Sequence, residues 1–567
     1  MVSRGFTDLP SVQAFFSPSL NDLIDPMLML GMAAAVERVQ RAVRGSEPIL
    51  IYGDYDVDGT TATVLLKTAI ERSAPKETPA IVRYHVPHRI REGYGMRTGV
   101  LADAAAAGVR LVISVDTGIR AFAAATEAQA LGLDLIVTDH HLPDDTQGVP
   151  YALAVINPAQ TDCGYPFKSL CGAAVAFKLA HAILRAACTS ESERERLERS
   201  LVPSFLKLVA IATIADSVPL EGENRVIATL GLRELRNPVQ PGLRALMEVA
   251  QVPTDRSPTA TEVGFRIAPR INAAGRMDVA SDVVELFLTR DPEHAREIAS
   301  KLNRLNDDRK TAEAKALEAI DERLTLLQGE NRHFPALCLV MEDAEWHRGV
   351  LGILASRIVD RTGRPALVLT HEDGQAHGSG RSIAGYHLLD ALTAAHGEDG
   401  ALFSRFGGHA HAVGFSLPSE NIATLRSRME SHSAALLARE LLAPPLECDI
   451  EIEIEDLNPV FYEWLERCAP FGVGHREPVL MSRSVTLAAD VRIIKDRHVC
   501  LDITSGTGRL SALGWSRAGT LWATSCHEMG LAAGSRVDIA YRLRSKSTPW
   551  FTGLELELVD MRQAVSS

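Results

Sequence analysis

Short apolar runs alternate with amphipathic stretches through the first third of the chain. The runs predict strands near 49–53, 81–86, 110–115, 133–138 and 153–156. The Ala-rich stretches predict helices near 60–73, 97–107, 119–130 and 170–188. Strands and helices that alternate in this order form a parallel sheet with helices on both faces. From about 170 to 330 the pattern is helical.

A charged segment over 291–330 carries one apolar stripe and predicts one long helix, or two shorter ones, that connect two domains. A second α/β unit is expected after it. Its predicted strands are Ala336–Met341, Ala366–Leu369 and Ala412–Ser416, and its predicted helices lie near 349–361, 387–396 and 420–439.

The last part of the chain has a different pattern. Ala443-Pro444-Pro445 predicts a short stiff linker. Short alternating segments beyond it predict a small β-rich domain like an oligonucleotide-binding barrel. The predicted fold class is therefore α/β: two α/β domains joined by a long helix, plus a β-rich domain. The predicted divisions are an N-terminal arm 1–45, a first domain 46–290, a connecting helix 291–330, a second domain 331–442 and a β domain 443–567.

Composition narrows the class of protein. The 567 residues have a formal net charge of −13, which argues mildly against a protein that coats nucleic acid through bulk positive charge. No apolar stretch reaches the roughly 18 residues of a membrane helix, and the N-terminus lacks a secretory pattern. Eight cysteines contain no CxxC pair, which favours reduced thiols in a cytoplasmic protein without a membrane partner.

Acidic residues follow the predicted strands. Asp54, Asp56 and Asp58 come after the first strand, and Asp116 after the third. Because parallel strands end at one edge of the sheet, these carboxylates are expected to meet there and to need cations. The alternative for Asp58 and Asp116, each taken alone, is that they cap the helices that follow them, and the combination of clusters disfavours it.

Asp139-His140-His141 follows another predicted strand, and Asp216 lies near the end of a helical stretch. Adjacent histidines point to different sides of the chain, so one is expected to bind a metal and the other to contact a phosphate or protonate a leaving oxygen. Asp139 or a backbone carbonyl would orient the metal-binding imidazole. Oxygen and imidazole ligands without thiolates favour Mg²⁺ or Mn²⁺, and two such ions are typical of phosphodiester hydrolysis.

The chain resembles the DHH phosphoesterase superfamily and, within it, the bacterial RecJ single-strand DNA exonucleases. The resemblance rests on an ordered set of motifs over roughly 48–420. They are Asp54–Gly59, Glu92–Gly95, Asp139–His141, Gly172–Lys178, Ala215–Leu220, Pro269–Arg276, Trp346–Ile353, Gly380–Ser382 and Phe406–His409.

The resemblance implies a DHH domain, a DHHA1-type domain and a site that binds two Mn²⁺ or Mg²⁺ ions. The ligands it implies are Asp56, Asp58, Asp116, His140 and Asp216, with Asp54 as a nearby acid. His141, His140 and Asp116 are the implied catalytic residues. Many superfamily members have a His where this chain has Tyr52, so water or Asp54 is expected to fill that coordination position.

Basic and polar residues in the motifs are predicted to bind DNA phosphates, because Arg binds phosphate in a bidentate manner and small residues allow close approach. The predicted set is Arg89, Arg270, Asn272, Arg276, Arg381, Ser382 and His409, with Arg270, Asn272 and Arg276 placed in a loop.

The resemblance implies a metal-dependent 5′-to-3′ exonuclease that degrades single-stranded DNA to short products in recombination and repair. Single-strand-binding protein and a helicase are possible partners, and the β-rich tail is expected to hold the strand downstream. Two alternatives are a phosphodiesterase for short RNA or cyclic dinucleotides and a non-catalytic scaffold. The 120 or so C-terminal residues disfavour the first, and the complete set of acids disfavours the second.

Overall fold

A computed structural model describes residues 2–89, 91–328, 334, 336–397, 400–437, 439–442, 445–516, 521–548 and 551–564. The chain divides into two compact units. The first comprises Met1–Asp308 and Ala469–Arg476, and the second comprises Arg309–Cys468 and Glu477–Ser567. Most of the predicted linker Ala443-Pro444-Pro445 lies outside the described residues.

The first unit is built around a parallel sheet with strand order β2-β1-β3-β4-β5. Its strands are β1 (Ile49–Tyr52), β2 (Val82–His85), β3 (Leu111–Val115), β4 (Asp134–Thr138) and β5 (Ala154–Ile156). Each lies within one residue or two of its predicted position. Short apolar runs flanked by helical sequence were therefore sufficient to locate them.

Helices cover both faces of this sheet. They are α2 (Met32–Arg44), α3 (Val57–Ser73), α4 (Thr98–Ala106), α5 (Phe122–Ala130) and α6 (Gly172–Ala187), and a further helix, α1 (Leu9–Phe16), precedes them in the chain. On β1, Ile49 and Ile51 pack into the core formed with α2, α3 and α6, whereas Leu50 and Tyr52 pack against α4 and α5. Alternate residues of a strand point to opposite faces, so β1 is apolar throughout.

The helical region predicted after residue 170 is confirmed. Its further helices are α7 (Glu191–Arg196), α8 (Val202–Ala215), α9 (Gly222–Glu234), α10 (Pro241–Val249), α11 (Ala260–Glu262), α12 (Ala268–Met277) and α13 (Ser281–Leu288). A single continuous helix, α14 (Pro292–Gln328), follows and passes from the first unit into the second.

The second unit contains a mixed sheet of order β6-β7-β8-β10-β9. Its strands are β6 (Leu339–Glu342), β7 (Ala366–Glu372), β8 (Gln375–Arg381), β9 (Arg405–Gly408) and β10 (Ala412–Pro418), and its helices are α15 (Leu351–Thr362), α16 (Leu388–His396) and α17 (Ile422–Leu436). The sequence reading missed β8 and β9. Their glycines and polar residues, such as Gly378 and Gly407, do not form the apolar pattern that identified the other strands.

The C-terminal β-rich prediction is also confirmed. The elements are β11 (Ile450–Glu451), α18 (Pro459–Arg467), β12 (Leu480–Leu487), β13 (Arg492–Ile494), β14 (His498–Ser505), β15 (Gly508–Gly514), α19 (Trp522–Glu528), β16 (Arg536–Thr548) and β17 (Phe551–Gln563). The strands pair in the order β12-β16-β17-β15-β14, and β12 also pairs with β14. This last pairing closes the sheet into a barrel.

Residues 469–476 depart from the predicted division, because they pack with the first unit although the sequence assigned them to the β domain. Within the described ranges, none of the helices is both long enough and apolar enough to span a bilayer.

Candidate metal centre

The acidic and histidine clusters come together at the carboxyl edge of the first sheet. β1, β3 and β4 are parallel neighbours in register, so the residues that follow them leave the sheet side by side. Asp54–Asp58 follow β1, Asp116 follows β3, and His140 lies two residues beyond β4. Asp216 reaches the same place from the C-terminus of α8.

Backbone amides fix two of these carboxylates. Asp56 Oδ1 accepts hydrogen bonds from Asp58 N at 2.9 Å and Gly59 N at 3.1 Å, which makes it the N-cap of α3. The sequence suggested Asp58 as the N-cap of this helix, but the N-cap is Asp56. Asp58 is 2% exposed and accepts from Gly172 N at 2.6 Å and Ala173 N at 2.7 Å, the first amides of α6.

Asp116 has a left-handed backbone with φ of 58°, a strained conformation for a residue with a side chain. Its carboxylate lies against Gly172, where an added Cβ would be 2.4 Å from Asp116 Oδ1. The glycine therefore leaves the space that this carboxylate occupies.

Three groups of side chains have ligand atoms within 4.8 Å of one another: Asp54, Asp56 and Asp116; Asp116, His140 and His141; and Asp58, His140 and Asp216. His140 Nε2 lies 3.3 Å from Asp116 Oδ1 and 3.8 Å from both Asp58 Oδ2 and Asp216 Oδ2. Asp116 and His140 each belong to two groups. The two oxygens of Asp116 could serve adjacent cations, whereas His140 Nε2 can bind only one.

Among the residues that the structure describes, three buried ligand atoms of the cluster have no hydrogen-bond partner: Asp54 Oδ1, Asp116 Oδ1 and His140 Nε2. A buried polar atom without a partner costs about 1–3 kcal/mol, and folded proteins rarely leave one. Oxygen donors with one or two imidazoles suit divalent Mg²⁺ or Mn²⁺. The residues present therefore fit a pair of such ions.

Electrostatics lead to the same conclusion. Burial, followed by repulsion from neighbouring carboxylates, raises the pKa values of Asp54, Asp56, Asp116 and Asp216 above the usual range. Burial also lowers the pKa of His140, which favours the neutral imidazole that binds metals. Bound cations would lower the pKa values of these carboxyl groups again, because they stabilise the ionised form.

The two histidines differ in their partners. His141 Nδ1 lies 2.7 Å from Asp139 Oδ1, and Asn157 Nδ2 donates to His141 O at 2.8 Å. Burial opposes a charge on His141, but the Asp139 hydrogen bond and nearby carboxylates outweigh it and raise its pKa to about 9. Burial likewise opposes ionisation of Asp139, yet His141, His140 and the Ile119 amide lower its pKa to about 2. Asp139 therefore orients His141.

The Tyr52 hydroxyl is not a ligand of the metal cluster, because it is hydrogen-bonded to backbone atoms elsewhere. It donates to Gly95 O at 3.3 Å and accepts from Arg97 N at 3.2 Å. Burial raises the pKa of this phenol to about 12, so it is protonated at neutral pH. Its role is to hold the loop that carries Tyr94, whose hydroxyl lies 3.5 Å from His141 Nδ1.

The prediction that Arg270, Asn272 and Arg276 lie in a loop is wrong, because these residues belong to helix α12. Gly275 packs on the backbone of the first acidic loop, where an added Cβ would lie 2.5 Å from Tyr55 O. Asn272 Oδ1 accepts from Val57 N at 3.2 Å, and Arg270 Nε donates to Asn303 Oδ1 at 2.9 Å. The small residues of this motif therefore support the acidic loop.

Arg89 lies beside the centre, with its guanidinium carbon 4.9 Å from the centroid of the Tyr55 ring. Its positive charge lowers the pKa values of Asp54 and Asp56 and so offsets part of the effect of burial. The positive charge of Arg276 likewise lowers the pKa of Tyr55. These two cations are close enough to the acidic loop to influence a phosphate placed there.

In the second unit, the predicted phosphate contacts already have intramolecular bonds. Ser382 Oγ donates to Tyr386 O at 2.6 Å, and Arg381 Nη1 donates to Gly380 O at 2.8 Å. His409 Nδ1 accepts from His411 N at 3.3 Å. Phosphate binding by these three residues stays a prediction.

Sequence reasoning gave no role to several residues that build the centre. Gly172 and Ala173 supply amides to Asp58, and Asn157 holds the backbone of His141. The glycine at the start of a predicted Ala-rich helix was an available signal, since helix N-termini bind carboxylates. Asn157 had no comparable signal.

Family models match three regions of the chain. Residues 48–213 match the N-terminal domain of the DHH family, residues 335–433 match the DHHA1 domain, and residues 448–560 match the RecJ OB domain. The metal cluster lies largely within the first match, and Asp216 lies just beyond it.

Curated relatives agree over most of the chain. The single-stranded-DNA-specific exonuclease RecJ of Bacillus subtilis is 37% identical over 544 residues, which cover 95% of this chain and 64% of the relative. The RecJ of Dickeya dadantii is 38% identical over 533 residues, which cover 93% of this chain and 89% of the relative. The chain thus spans somewhat less than two thirds of the first protein and most of the second.

Solved structures show the same likeness. RecJ from Thermus thermophilus in complex with Mn²⁺ has a TM-score of 0.78 and 29% identity, covering 99% of this chain and 75% of that one. An exonuclease RecJ bound to manganese has a TM-score of 0.58 and 35% identity, covering 72% of this chain and 95% of that one.

Proposed function

The chain belongs to the RecJ family of single-stranded-DNA-specific exonucleases, and we propose that it hydrolyses single-stranded DNA with two divalent cations. It removes nucleotides in the 5′-to-3′ direction and releases short products, in recombination and repair. It acts in the cytoplasm, where single-strand-binding protein and a helicase would supply its substrate.

The observation that carries this proposal is the cluster of buried ligand atoms without partners. Asp54 Oδ1, Asp116 Oδ1 and His140 Nε2 lie at the carboxyl edge of the sheet, where open α/β folds bind ligands. A purely structural cluster would pair these atoms with donors or acceptors from the protein.

Asp54, Asp56, Asp58, Asp116, His140 and Asp216 would hold the ions. Asp116 belongs to two groups of ligand atoms and has two carboxylate oxygens, so it could serve both ions, whereas the single lone pair of His140 Nε2 would bind one of them. When bound, the ions activate water and neutralise charge at the phosphorus. The chain supplies the rigid geometry: Asp56 and Asp58 are each fixed by two backbone amides.

His141 would act on the scissile phosphate. Asp139 holds its Nδ1 at 2.7 Å, so Nε2 is directed away from Asp139 and can donate a hydrogen bond to a phosphate oxygen. The Asp139 carboxylate raises the pKa of His141 and so favours the protonated imidazole, which suits a donor to a phosphate oxygen. Arg89 would contact the adjacent phosphate. Phosphate contacts by Arg270, Asn272, Arg276, Arg381, Ser382 and His409 remain part of the proposal.

The test is digestion of single-stranded and duplex DNA, labelled at either end, with Mn²⁺, Mg²⁺ or chelator. We expect release of the 5′ label first from single strands, with little cleavage of duplex and none in chelator. Parallel assays with a cyclic dinucleotide and a short RNA cover the alternative phosphodiesterase. Faster turnover of either than of a single DNA strand, or cleavage that survives chelation, would contradict the proposal.

A further inference from the structure

Eight residues from the C-terminal part of the chain pack within the first unit. The segment 469–476 lies between α18 and β12 in sequence, but its internal contacts place it with residues 1–308. There it lies against residues 217–221, the loop that joins α8 to α9 and begins directly after Asp216.

The contact with this loop is close and specific. Leu220 N donates to Val473 O at 2.8 Å. An added Cβ on Gly472 would lie 2.7 Å from Leu220 Cδ1, and one on Gly474 would lie 2.9 Å from Pro219 Cβ. Gly474 also has φ of 73°, so both its conformation and its space suit glycine. The segment therefore fits the loop without a gap.

The other side of the segment is anchored as firmly. Arg225 Nη2 donates to Ala469 O at 3.0 Å, while its guanidinium carbon lies 3.5 Å from the centroid of the Phe15 ring. Arg4 Nη1 donates to Arg476 O at 2.6 Å. His475 is buried, with its ring 5.2 Å from Phe15 and 5.3 Å from Phe471. Helix α9 and the N-terminal arm thus hold both ends of the segment.

Asp216 needs such support because it follows a helix, whereas Asp116 follows a strand of the sheet. Asp56 and Asp58 are each held by two amides, whereas no described residue donates a hydrogen bond to the Asp216 carboxylate. Asp216 is the C-cap of α8, and Ser217 after it has a left-handed φ of 59°. Its position therefore depends on the backbone of the loop.

We propose that segment 469–476 is a positioning element of the metal centre: by holding Leu220 and Pro219 it fixes the loop that presents Asp216. The C-terminal part of the chain then contributes to metal binding itself, in addition to any hold on the DNA strand. This inference rests on the proposed function only in treating the cluster as the site of the two ions.

The test uses the full chain with Gly474→Ala, which adds a Cβ against Pro219. Gly534→Ala is the matched control, because Gly534 also has a left-handed φ, of 85°, but has nothing within 4 Å of an added Cβ. Isothermal titration with Mn²⁺ gives the affinity. Turnover of a short and of a long single strand is then measured at limiting and at excess Mn²⁺.

For Gly474→Ala we expect the half-saturating Mn²⁺ concentration to rise about 10-fold, the size usual for residues that orient metal ligands. Turnover of both strands should fall at limiting Mn²⁺ and recover in excess, with KM for the long strand unchanged. Gly534→Ala should match the unaltered protein. Gly472→Ala should show a smaller rise, since the end of the Leu220 side chain can move, and it decides the matter if Gly474→Ala does not fold.

The inference is overturned if Gly474→Ala binds Mn²⁺ as Gly534→Ala does. It is equally overturned if the loss is confined to KM for the long strand, or if excess Mn²⁺ restores nothing. Failure of the proposed function has a different signature: the unaltered protein would bind Mn²⁺ and leave single-stranded DNA intact.

Discussion

The carboxyl edge of the first sheet and the end of the glycine-rich strand β8 of the second sheet both carry polar residues that the sequence singled out. At the first, Asp116 Oδ1 and His140 Nε2 are buried without partners. At the second, Ser382 and Arg381 already donate hydrogen bonds to backbone oxygens within the same unit. Sequence motifs alone did not separate these two situations.

The difference indicates how strongly each region needs a ligand. Atoms that are buried and unpaired cost free energy until something binds them, whereas paired atoms already stabilise the fold. We therefore expect substitutions at the first sheet to change activity and metal binding. Substitutions at the second should change mainly stability.

The largest effect is expected for Asp116→Asn. Loss of a carboxylate near two groups of ligand atoms should lower kcat by about 1,000-fold or more, equivalent to about 4 kcal/mol. In chelator the variant should melt at the same temperature as the unaltered protein or higher, because the substitution removes a repelled buried charge. Exposed Asp103→Asn is the control. Normal nuclease activity in Asp116→Asn would restore the scaffold alternative.

Metal removal should change the pH dependence of stability. The pKa values of Asp54, Asp56, Asp116 and Asp216 are raised in the folded protein, so folding favours their protonated forms. The contribution of these four carboxyl groups to the free energy of unfolding in chelator should then be fully present below pH about 4 and be lost as pH rises through the raised values.

Mn²⁺ binds the ionised carboxylates and should offset this loss, by about 2.7 kcal/mol at 100 times Kd. The increase in melting temperature on adding Mn²⁺ should therefore be larger at pH 7.5 than at pH 5.5. An equal or smaller increase at the higher pH would show that these carboxylates do not bind the ion.

A smaller effect is expected for Asp139→Asn. The neutral amide cannot stabilise a protonated His141, so activity should fall about 10- to 100-fold, as for other groups that orient site residues. The pKa of His141 should drop from about 9 toward its ordinary value. Activity should therefore decline at a lower pH than in the unaltered protein. A pH profile with an unchanged basic limb would remove His141 from the proposed chemistry.

The smallest effect on activity is expected for Ser382→Ala. Because Ser382 Oγ donates to Tyr386 O, its loss should lower the free energy of unfolding by about 1 kcal/mol. KM for single-stranded DNA should rise by about twofold at most, because Ser382 would be one of several proposed phosphate contacts and its hydroxyl already donates within the unit. Ser427→Ala, on the exposed face of α17, is the control for both measurements. A clear rise in KM with unchanged stability would instead support the predicted phosphate contact.

The sequence located most of the fold because the first sheet is built from apolar runs separated by helices. It did not identify β8, where Gly378 makes room for the Phe415 ring and polar residues replace the apolar pattern. Long-range pairing with β7 and β10 stabilises such a strand, and local sequence does not reveal that pairing.

For the site, the predicted strand ends located the acids correctly, because the carboxyl ends of parallel strands lie at one edge of the sheet. The supporting contacts were harder to foresee. Asn272 reaches Val57 across 215 residues of sequence, and Val473 reaches Leu220 across a comparable distance. Such contacts depend on how whole helices pack, which residue spacing does not encode.

Gly172 has no side chain, yet the ligand cluster is built around it. Its amide holds Asp58, and its missing Cβ leaves the volume occupied by the Asp116 carboxylate. In a saturation mutagenesis screen for nuclease activity, position 172 should therefore tolerate as few replacements as the acids themselves. Even alanine, elsewhere the mildest of changes, would displace a carboxylate from the place where a cation is to bind.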